Sequence, residues 1–207
     1  MNKKSALIQG VLFWGSLWGI WEIVGDRMFA DNPLIPREVA LVGIAVLILA
    51  VSRTFHNIRG FSMAMAVLAA MFKFLNAPFW GCQFFAVILL GVTFEIFWAL
   101  FVKNESLKRL SFTFAGVGAT GLHFLLFIPI AIVTTNAAFW LKNGGEKIFQ
   151  FLGEGLLTMV DVFVVLFFTH KLIAKLPKMR EQLISWHLNW IFSASMVFLA
   201  ILTAFNR

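Results

Sequence analysis

The sequence has few of the residues that build soluble or disulfide-stabilised proteins. Only 13% of its 207 residues are charged, about half the share of an average soluble domain. Tyrosine is absent, and the single cysteine excludes an internal disulfide. Hydrophobic residues make up 60% of the chain, and the mean hydropathy is +0.88. Because so little polar surface could not cover so large an apolar core, these proportions exclude a soluble enzyme, a disordered protein and a small secreted domain.

Apolar runs of membrane-spanning length occupy most of the chain. A helix needs about 20 apolar residues to cross the hydrocarbon, and the runs lack the alternation of a membrane β-barrel. The fold class is therefore predicted as all-α, a polytopic membrane bundle of six to seven transmembrane helices. Residues 1–175 form its six-helix core, and 176–207 form a cytoplasmic connector with an extra transmembrane helix. The predicted spans are 6–28, 39–51, 61–75, 79–102, 112–133, 148–169 and 184–205.

Lysine and arginine are distributed unequally between the two sides of this topology. Of the 17 basic residues, eleven fall on the side of the N-terminus, five fall on the other side and Lys73 lies at a span end. The positive-inside rule then predicts a cytoplasmic N-terminus and an integral protein of the cytoplasmic (inner) membrane. The net charge of +7 is explained by orientation and by contact of residues 171–182 with anionic lipid, so no nucleic-acid partner is expected.

Familiar catalytic and metal-binding signatures are missing. The sequence contains no His-Glu-x-x-His, Gly-x-Ser-x-Gly or Walker-type lysine loop, and its four histidines are scattered. Gly116, Gly118 and Gly121 do spell Gly-x-Gly-x-x-Gly, but inside an apolar span, where close helix packing explains them. We therefore expect no catalytic residues, metal or cofactor, and the protein is not predicted to be an enzyme.

Ionisable residues inside the spans are the strongest functional signal. A charge at mid-bilayer costs about 2.5–3.5 kcal/mol, so it persists where it meets water, a partner or a ligand. At about 1.5 Å per residue, Glu22, Lys73, His123 and Glu154 all lie in the outer half of the predicted spans. Asp161, seven residues after Glu154, lies deeper on the same helix face. Two interpretations stay open, namely mutual neutralisation, with Lys73 pairing with a carboxylate, and a common cavity with Asp161 at its floor.

The turn before the fourth span and one outer loop add polar groups to this set. Near the turn lie two amides, an aromatic ring and the thiol. The alternative interpretation of Trp80 is an interfacial anchor, and that of Cys82 is a small buried hydrophobic residue. Polar groups on apolar walls are typical of small-ligand sites. The candidate substrate-binding residues are Glu22, Lys73, Asn76, Trp80, Cys82, Gln83, His123, Asn136, Glu154 and Asp161.

Two glycines in the first span form a Gly-x-x-x-Gly motif. Small residues at this spacing let helix backbones approach closely in lipid. Gly15 and Gly19 therefore pack either within the bundle or against a partner membrane protein, and we take partner docking as the functional prediction.

The bundle resembles the substrate-binding S components of energy-coupling factor vitamin transporters. The residues that carry the resemblance are Pro78-Phe79-Trp80-Gly81-Cys82-Gln83 followed by Gly91-Val92-Thr93-Phe94-Glu95-Ile96, with a long outer segment after the first span. The resemblance covers roughly residues 6–175, and the seventh span departs from it. It implies uptake of a vitamin or related micronutrient from outside, with a coupling membrane protein docked on Gly15 and Gly19 and two ATPases supplying energy. The segments 26–38 and 134–147 would close over the substrate.

Other functions remain open at this point. A proton- or ion-coupled transporter would use Glu22, Glu95, Glu154 and Asp161 as relay groups. An intramembrane enzyme would need Cys82 as nucleophile within hydrogen-bond reach of His123 as base. An assembly or scaffolding protein would need neither. Among ligands, a corrinoid competes with thiamine-like or pyrimidine compounds, whose cations would suit Glu22 or Glu154.

Overall fold

The computed structural model describes residues 3–30, 32, 34–75, 81–102, 109–134, 137–175, 194–199 and 201. Six helices follow one another between residues 3 and 175, and residues 194–199 are also helical. No strand occurs in the described ranges, which confirms the all-α prediction. A 3-10 turn (Phe72–Leu75) directly continues the third helix. The helices are α1 (Lys3–Phe29), α2 (Arg37–Phe55), α3 (Phe61–Met71), α4 (Gly81–Phe101), α5 (Arg109–Thr134) and α6 (Ala137–Lys175).

All of these helices except α3 are long and apolar enough to cross a membrane, so the chain is an integral membrane protein. The five candidate spans are Leu7–Phe29, Arg37–Phe55, Gly81–Phe101, Arg109–Thr134 and Gly145–Leu172. The predicted seventh span and its connector fall largely outside the described residues, so the boundary at 175 stays a prediction, as does the orientation.

The structure corrects the prediction that the segment 134–147 is an outer loop. From Ala137 onward it is helical and belongs to α6. Gly145 interrupts this helix with a φ of 85°, a left-handed conformation that only glycine adopts without strain. The glycine thus separates a short initial stretch from the spanning part of α6.

The six helices close into a ring in which each packs against two neighbours. The order around the ring is α1, α3, α4, α5, α6 and α2, with α2 returning to α1. Its interior is filled by large apolar side chains that are fully or almost fully buried, among them Trp18, Leu49, Met65, Phe94 and Phe112. The ring therefore has one shared core, to which all six helices contribute.

Glycines allow the ring to close tightly. A Cβ on Gly116 would lie 2.3 Å from Leu166 Cδ1, and one on Gly91 would lie 2.2 Å from the Cβ of Ala66. A Cβ on Gly118 would lie 2.2 Å from the ring of Phe97. Because none of these distances leaves room for a methyl group, the prediction that the Gly-x-Gly-x-x-Gly motif serves helix packing is confirmed.

At the end of the bundle that holds the α2–α3 loop, a polar network surrounds the buried side chain of Arg53. Glu95 of α4 accepts hydrogen bonds from the backbone N–H groups of Gly60 (2.9 Å) and Ser62 (3.1 Å), where α3 begins. Its carboxylate also forms an ion pair with Arg53 at 3.4 Å. Arg53 in turn donates to the backbone oxygen of Ile58 and to Asn57 Oδ1. Glu95 therefore caps a helix and neutralises a buried arginine.

Candidate functional site

A buried ion pair joins α1 to the 3-10 turn. Lys73 Nζ lies 2.9 Å from Glu22 Oε2 and 3.3 Å from the backbone oxygen of Glu22. The second carboxylate oxygen accepts the indole N–H of Trp18 at 2.8 Å. The side chains of Lys73 and Glu22 are only 3% and 6% exposed. The predicted pairing of Lys73 with a carboxylate is therefore confirmed, and Glu22 is the partner.

This ion pair borders a cavity of about 90 Å³, here called the deep cavity. The helices α1, α2, α4, α5 and α6 contribute to its wall, together with Lys73 of the 3-10 turn. Apolar side chains, including Leu41, Val87 and Phe124, form most of the surface. The polar residues described on its wall are Glu22, Asp26, Arg37, Glu38, Lys73, Gln83 and His123.

His123 of α5 places an imidazole on this wall. The residue is 3% exposed, and its Nδ1 has no hydrogen-bond partner among the described residues. The ring lies between Phe124 and Phe127, with centroids 5.3 and 6.1 Å away. The hydrogen-bonding capacity of this buried nitrogen is thus unused among the described residues.

A second space of about 670 Å³, here called the mouth cavity, lies nearer the end of the bundle. It is lined by Cys82 and Glu154 together with Lys147 and Gln150 of α6. Glu154 accepts a hydrogen bond from Gln150 Nε2 at 3.1 Å. Five residues line both cavities and so form the boundary between them, namely Arg37, Glu38, Gln83, Phe127 and Phe151.

Arg37 organises the charges at this boundary. Its guanidinium forms ion pairs with Asp26 at 3.2 Å and with Glu38 at 2.9 Å. The first turn of α2 thereby binds the last turns of α1 next to the cavities. Arg37 and Glu38 are each about one-third exposed, so this part of the wall is the more accessible one.

Comparisons of the chain with protein-family models, curated proteins and solved structures find no match. The resemblance to S components therefore depends on the sequence pattern alone, and the function is argued below from the geometry.

The structure brings together most of the described candidates but not all of them. Glu22, Lys73, Gln83 and His123 line the deep cavity, and Cys82, Gln83 and Glu154 line the mouth cavity. The candidates Asn76, Trp80 and Asn136 lie outside the described residues.

The structure corrects the prediction that Asp161 forms the floor of the site, because Asp161 lines neither cavity. Its carboxylate lies against α2, where a Cβ on Gly43 would be 2.4 Å from Asp161 Oδ2. Glycine at position 43 leaves space for this side chain between α2 and α6. Although Asp161 follows Glu154 by two turns on nearly the same face, it meets a neighbouring helix instead of the cavity floor.

The structure also corrects the prediction that the two glycines of α1 dock a partner. A Cβ on Gly15 would lie 2.9 Å from Leu68, and one on Gly19 would lie 2.1 Å from the ring of Phe72. Both glycines thus pack inside the bundle against α3 and the turn that follows it. They are not available as the docking surface for a partner protein.

Three charged residues of the wall were not among the candidates. Asp26, Arg37 and Glu38 lie in the segment 26–38, which was predicted only to close over the substrate. Their signal was the dense alternation of charges at the ends of two apolar spans. No group of three or more His, Cys, Asp or Glu side chains that could hold a metal ion occurs in the described parts of the chain.

Proposed function

We propose that this protein is the substrate-binding subunit of a membrane transporter and takes up a small, cationic, ring-containing micronutrient. The observation that carries the proposal is the cavity pair, two spaces at one end of the bundle whose walls combine apolar side chains with charged groups. Ligand sites are typically apolar clefts with a few placed polar groups, and the wall described above has that composition. On the predicted orientation, this end faces the outside.

The charges of the wall support a cationic substrate. Carboxylates of Glu22, Asp26, Glu38 and Glu154 line the two cavities, opposed by the described cations Arg37, Lys73 and Lys147. The phenyl rings of Phe127 and Phe151 and the indole of Trp140 border the mouth cavity and offer π-faces to a ring or a cation.

Transport would need partners. The resemblance to S components supports a coupling membrane protein and two ATPases as the source of energy, and the sequence itself carries no nucleotide-binding loop. Because Gly15 and Gly19 are packed inside the bundle, the coupling surface must be formed by other residues.

The geometry gives less support to the other functions. Of the relay groups, Glu95 is engaged in capping α3, about 18 Å along α4 from Gln83, and Asp161 lies outside both cavities. Cys82 and His123 line different cavities, and His123 Nδ1 has no hydrogen-bond partner in the described part of the chain. The described residues therefore form neither a continuous relay nor the cysteine–histidine pair that an enzyme would use.

The test is mass spectrometry of small molecules released from the purified full-length protein. We expect a retained compound with a ring and a cationic nitrogen, enriched over an unrelated membrane protein purified in the same way. Glu154→Gln should lower its retention markedly because the variant removes a carboxylate from the mouth cavity. Glu146→Gln is the matched control, since Glu146 is an exposed α6 carboxylate that lines neither cavity.

Two results would contradict the proposal. One is the absence of any compound enriched with the wild-type protein. The other is equal loss of retention in the Glu154→Gln and Glu146→Gln variants, which would indicate a general effect of surface charge. Co-purification of an ATPase with the wild-type protein would support the S-component form of the proposal over a transporter that works alone.

A further inference from the structure

We infer that the face of α6 around Asp161 docks a membrane-spanning helix of another protein, and that this helix places a lysine or arginine beside the carboxylate. The surface, here called the Asp161 face, is formed by Leu157, Asp161, Val164 and Phe168 of α6 next to Gly43 of α2. The inference concerns the outer surface of the bundle and not the cavities, so its test and that of the proposed function can fail separately.

Asp161 lies near the middle of its span. At about 1.5 Å per residue, it is about 24 Å from Gly145 and about 16 Å from Leu172, the two ends of that span. An ionisable side chain at this depth is unfavourable in lipid alone, and it persists where it meets water, a partner or a substrate. Asp161 lines neither cavity, so neither of these spaces brings water or substrate to it. A protein partner remains.

The carboxylate of Asp161 is open to such a partner. No described residue forms a hydrogen bond or an ion pair with it. The residue is partly exposed, and its oxygens are not among the fully buried side-chain atoms that lack a partner. A Cβ on Gly43 would lie 2.4 Å from Oδ2. Glycine at this position therefore leaves room for the carboxylate in the groove between α2 and α6.

The residues beside Asp161 form a face on which a helix can pack. Leu157, Asp161, Val164 and Phe168 follow one another at intervals of four, three and four residues, so they lie along one side of α6. The three apolar side chains are 49%, 45% and 68% exposed. Helices pack against each other along stripes with this spacing. A partner helix lying along the stripe would pass directly over Asp161.

The cation that balances Asp161 comes from another protein. Every described lysine and arginine lies within about one turn of a span end or outside the spans. Neither this chain nor a second copy therefore presents a described cation at the depth of Asp161. The predicted seventh span, residues 184–205, contains no lysine or arginine. Because charge-assisted hydrogen bonds are the strong ones, a basic side chain near the middle of the partner helix is the group that this face fits.

The test is photo-crosslinking of model transmembrane helices to the full-length protein in lipid vesicles. One probe is a polyleucine peptide of membrane-spanning length, with lysines at its ends and one lysine at its centre. The other probe has leucine at the central position. The crosslinking residue p-benzoylphenylalanine replaces Val164 on the Asp161 face, and the yield of adduct is followed by mass spectrometry as the peptide-to-lipid ratio rises.

The central-lysine peptide should reach half-maximal crosslinking at a peptide-to-lipid ratio about fivefold or more below that of the leucine peptide. In Asp161→Asn, which keeps the shape of the side chain and removes its charge, the two peptides should differ by less than about twofold. Glu146→Gln is the matched control, because it removes an exposed carboxylate from the same helix outside this face, and the preference for the lysine peptide should persist.

A second control places the crosslinker on the opposite side of the bundle. Val67 of α3 is 42% exposed, close to the 45% of Val164, and α3 is three helices away from α6 in either direction around the ring. With p-benzoylphenylalanine in place of Val67, the two peptides should crosslink equally. This result would show that the preference belongs to the Asp161 face and not to the whole lipid-facing surface.

Three results would overturn the inference. Equal crosslinking of both peptides at position 164 would show that Asp161 does not select a cation. A preference that survives in Asp161→Asn would assign the selection to another residue. Without any peptide, efficient crosslinking from position 164 to residues 184–205 or to a second copy would show that the chain itself covers this face.

Discussion

Removing one member of the buried Glu22–Lys73 ion pair should destabilise the protein more than removing one charge at the boundary between the two cavities. In Glu22→Gln, the ammonium of Lys73 stays 3% exposed and keeps only neutral acceptors, one of which is the backbone oxygen at 3.3 Å. The introduced amide can still accept the indole N–H of Trp18, which is bound at 2.8 Å in the wild type. The variant therefore isolates the loss of the negative charge.

The size of the effect follows from the burial. Leaving one charge of a buried pair without its partner costs about 3–5 kcal/mol. For a chain of this length, 1 kcal/mol lowers the unfolding midpoint by about 2–4 °C, so a fall of roughly 6–20 °C is expected. Glu38→Gln is the control, because Glu38 and Arg37 are each about one-third exposed. Exposed ion pairs contribute about 0–1 kcal/mol, so that midpoint should move by less than about 4 °C.

The assay is thermal unfolding in detergent, followed by tryptophan fluorescence, on a double-mutant cycle. Lys73→Met alone should also destabilise the protein, since it strands the carboxylate of Glu22. The double variant Glu22→Gln, Lys73→Met removes both charges and should be more stable than either single variant, because no buried charge is left uncompensated. If the two losses simply add, the residues do not depend on each other, and the assignment of a buried, coupled pair is refuted.

Two further predictions concern packing and orientation. Gly19→Ala should lower the free energy of unfolding by about 1–3 kcal/mol, because the new methyl group would overlap the phenyl ring of Phe72. Gly153→Ala is the control and should change it by less than about 1 kcal/mol, since a Cβ at Gly153 would have no atom within 4 Å. Equal midpoints of the two variants in thermal unfolding would contradict the packing of Gly19. In a Cys82→Ser background, a cysteine at position 175 should be labelled from the cytoplasm and one at position 143 from outside. Labelling of both from one side would show that the topology is wrong.

The course of the helices could be predicted because lipid imposes it. Hydropathy locates runs that must be helical, and the predicted span 79–102 matches α4 (Gly81–Phe101) closely. The meeting of Glu22 and Lys73 was also predictable, since both were placed in the outer half of the spans and a charge inside a span needs a partner. Depth follows from the position in a span, and position can be read from sequence.

The direction in which a side chain points around the helix axis could not be predicted in the same way. Glu154 and Asp161 share a face by spacing, yet Asp161 lies against Gly43 and Glu154 borders the mouth cavity. Likewise, Gly15 and Gly19 predict a close contact but not the helix that makes it. Which neighbour each face meets depends on the order of helices in the ring, and that order is a property of long-range packing.

The carboxylates at the two ends of the bundle have different surroundings, and this difference supports the choice of the proposed binding end. At the α2–α3 loop, Glu95 is engaged by two backbone N–H groups and by Arg53, so its carboxylate is committed to holding the fold together. Glu95 lines neither of the two cavities. At the other end, the carboxylates of Glu22, Asp26 and Glu38 lie on the wall of the deep cavity beside Arg37, Lys73 and His123. Because ligand sites are concave spaces with a few placed polar groups, the proposed site belongs at the Glu22–Lys73 end.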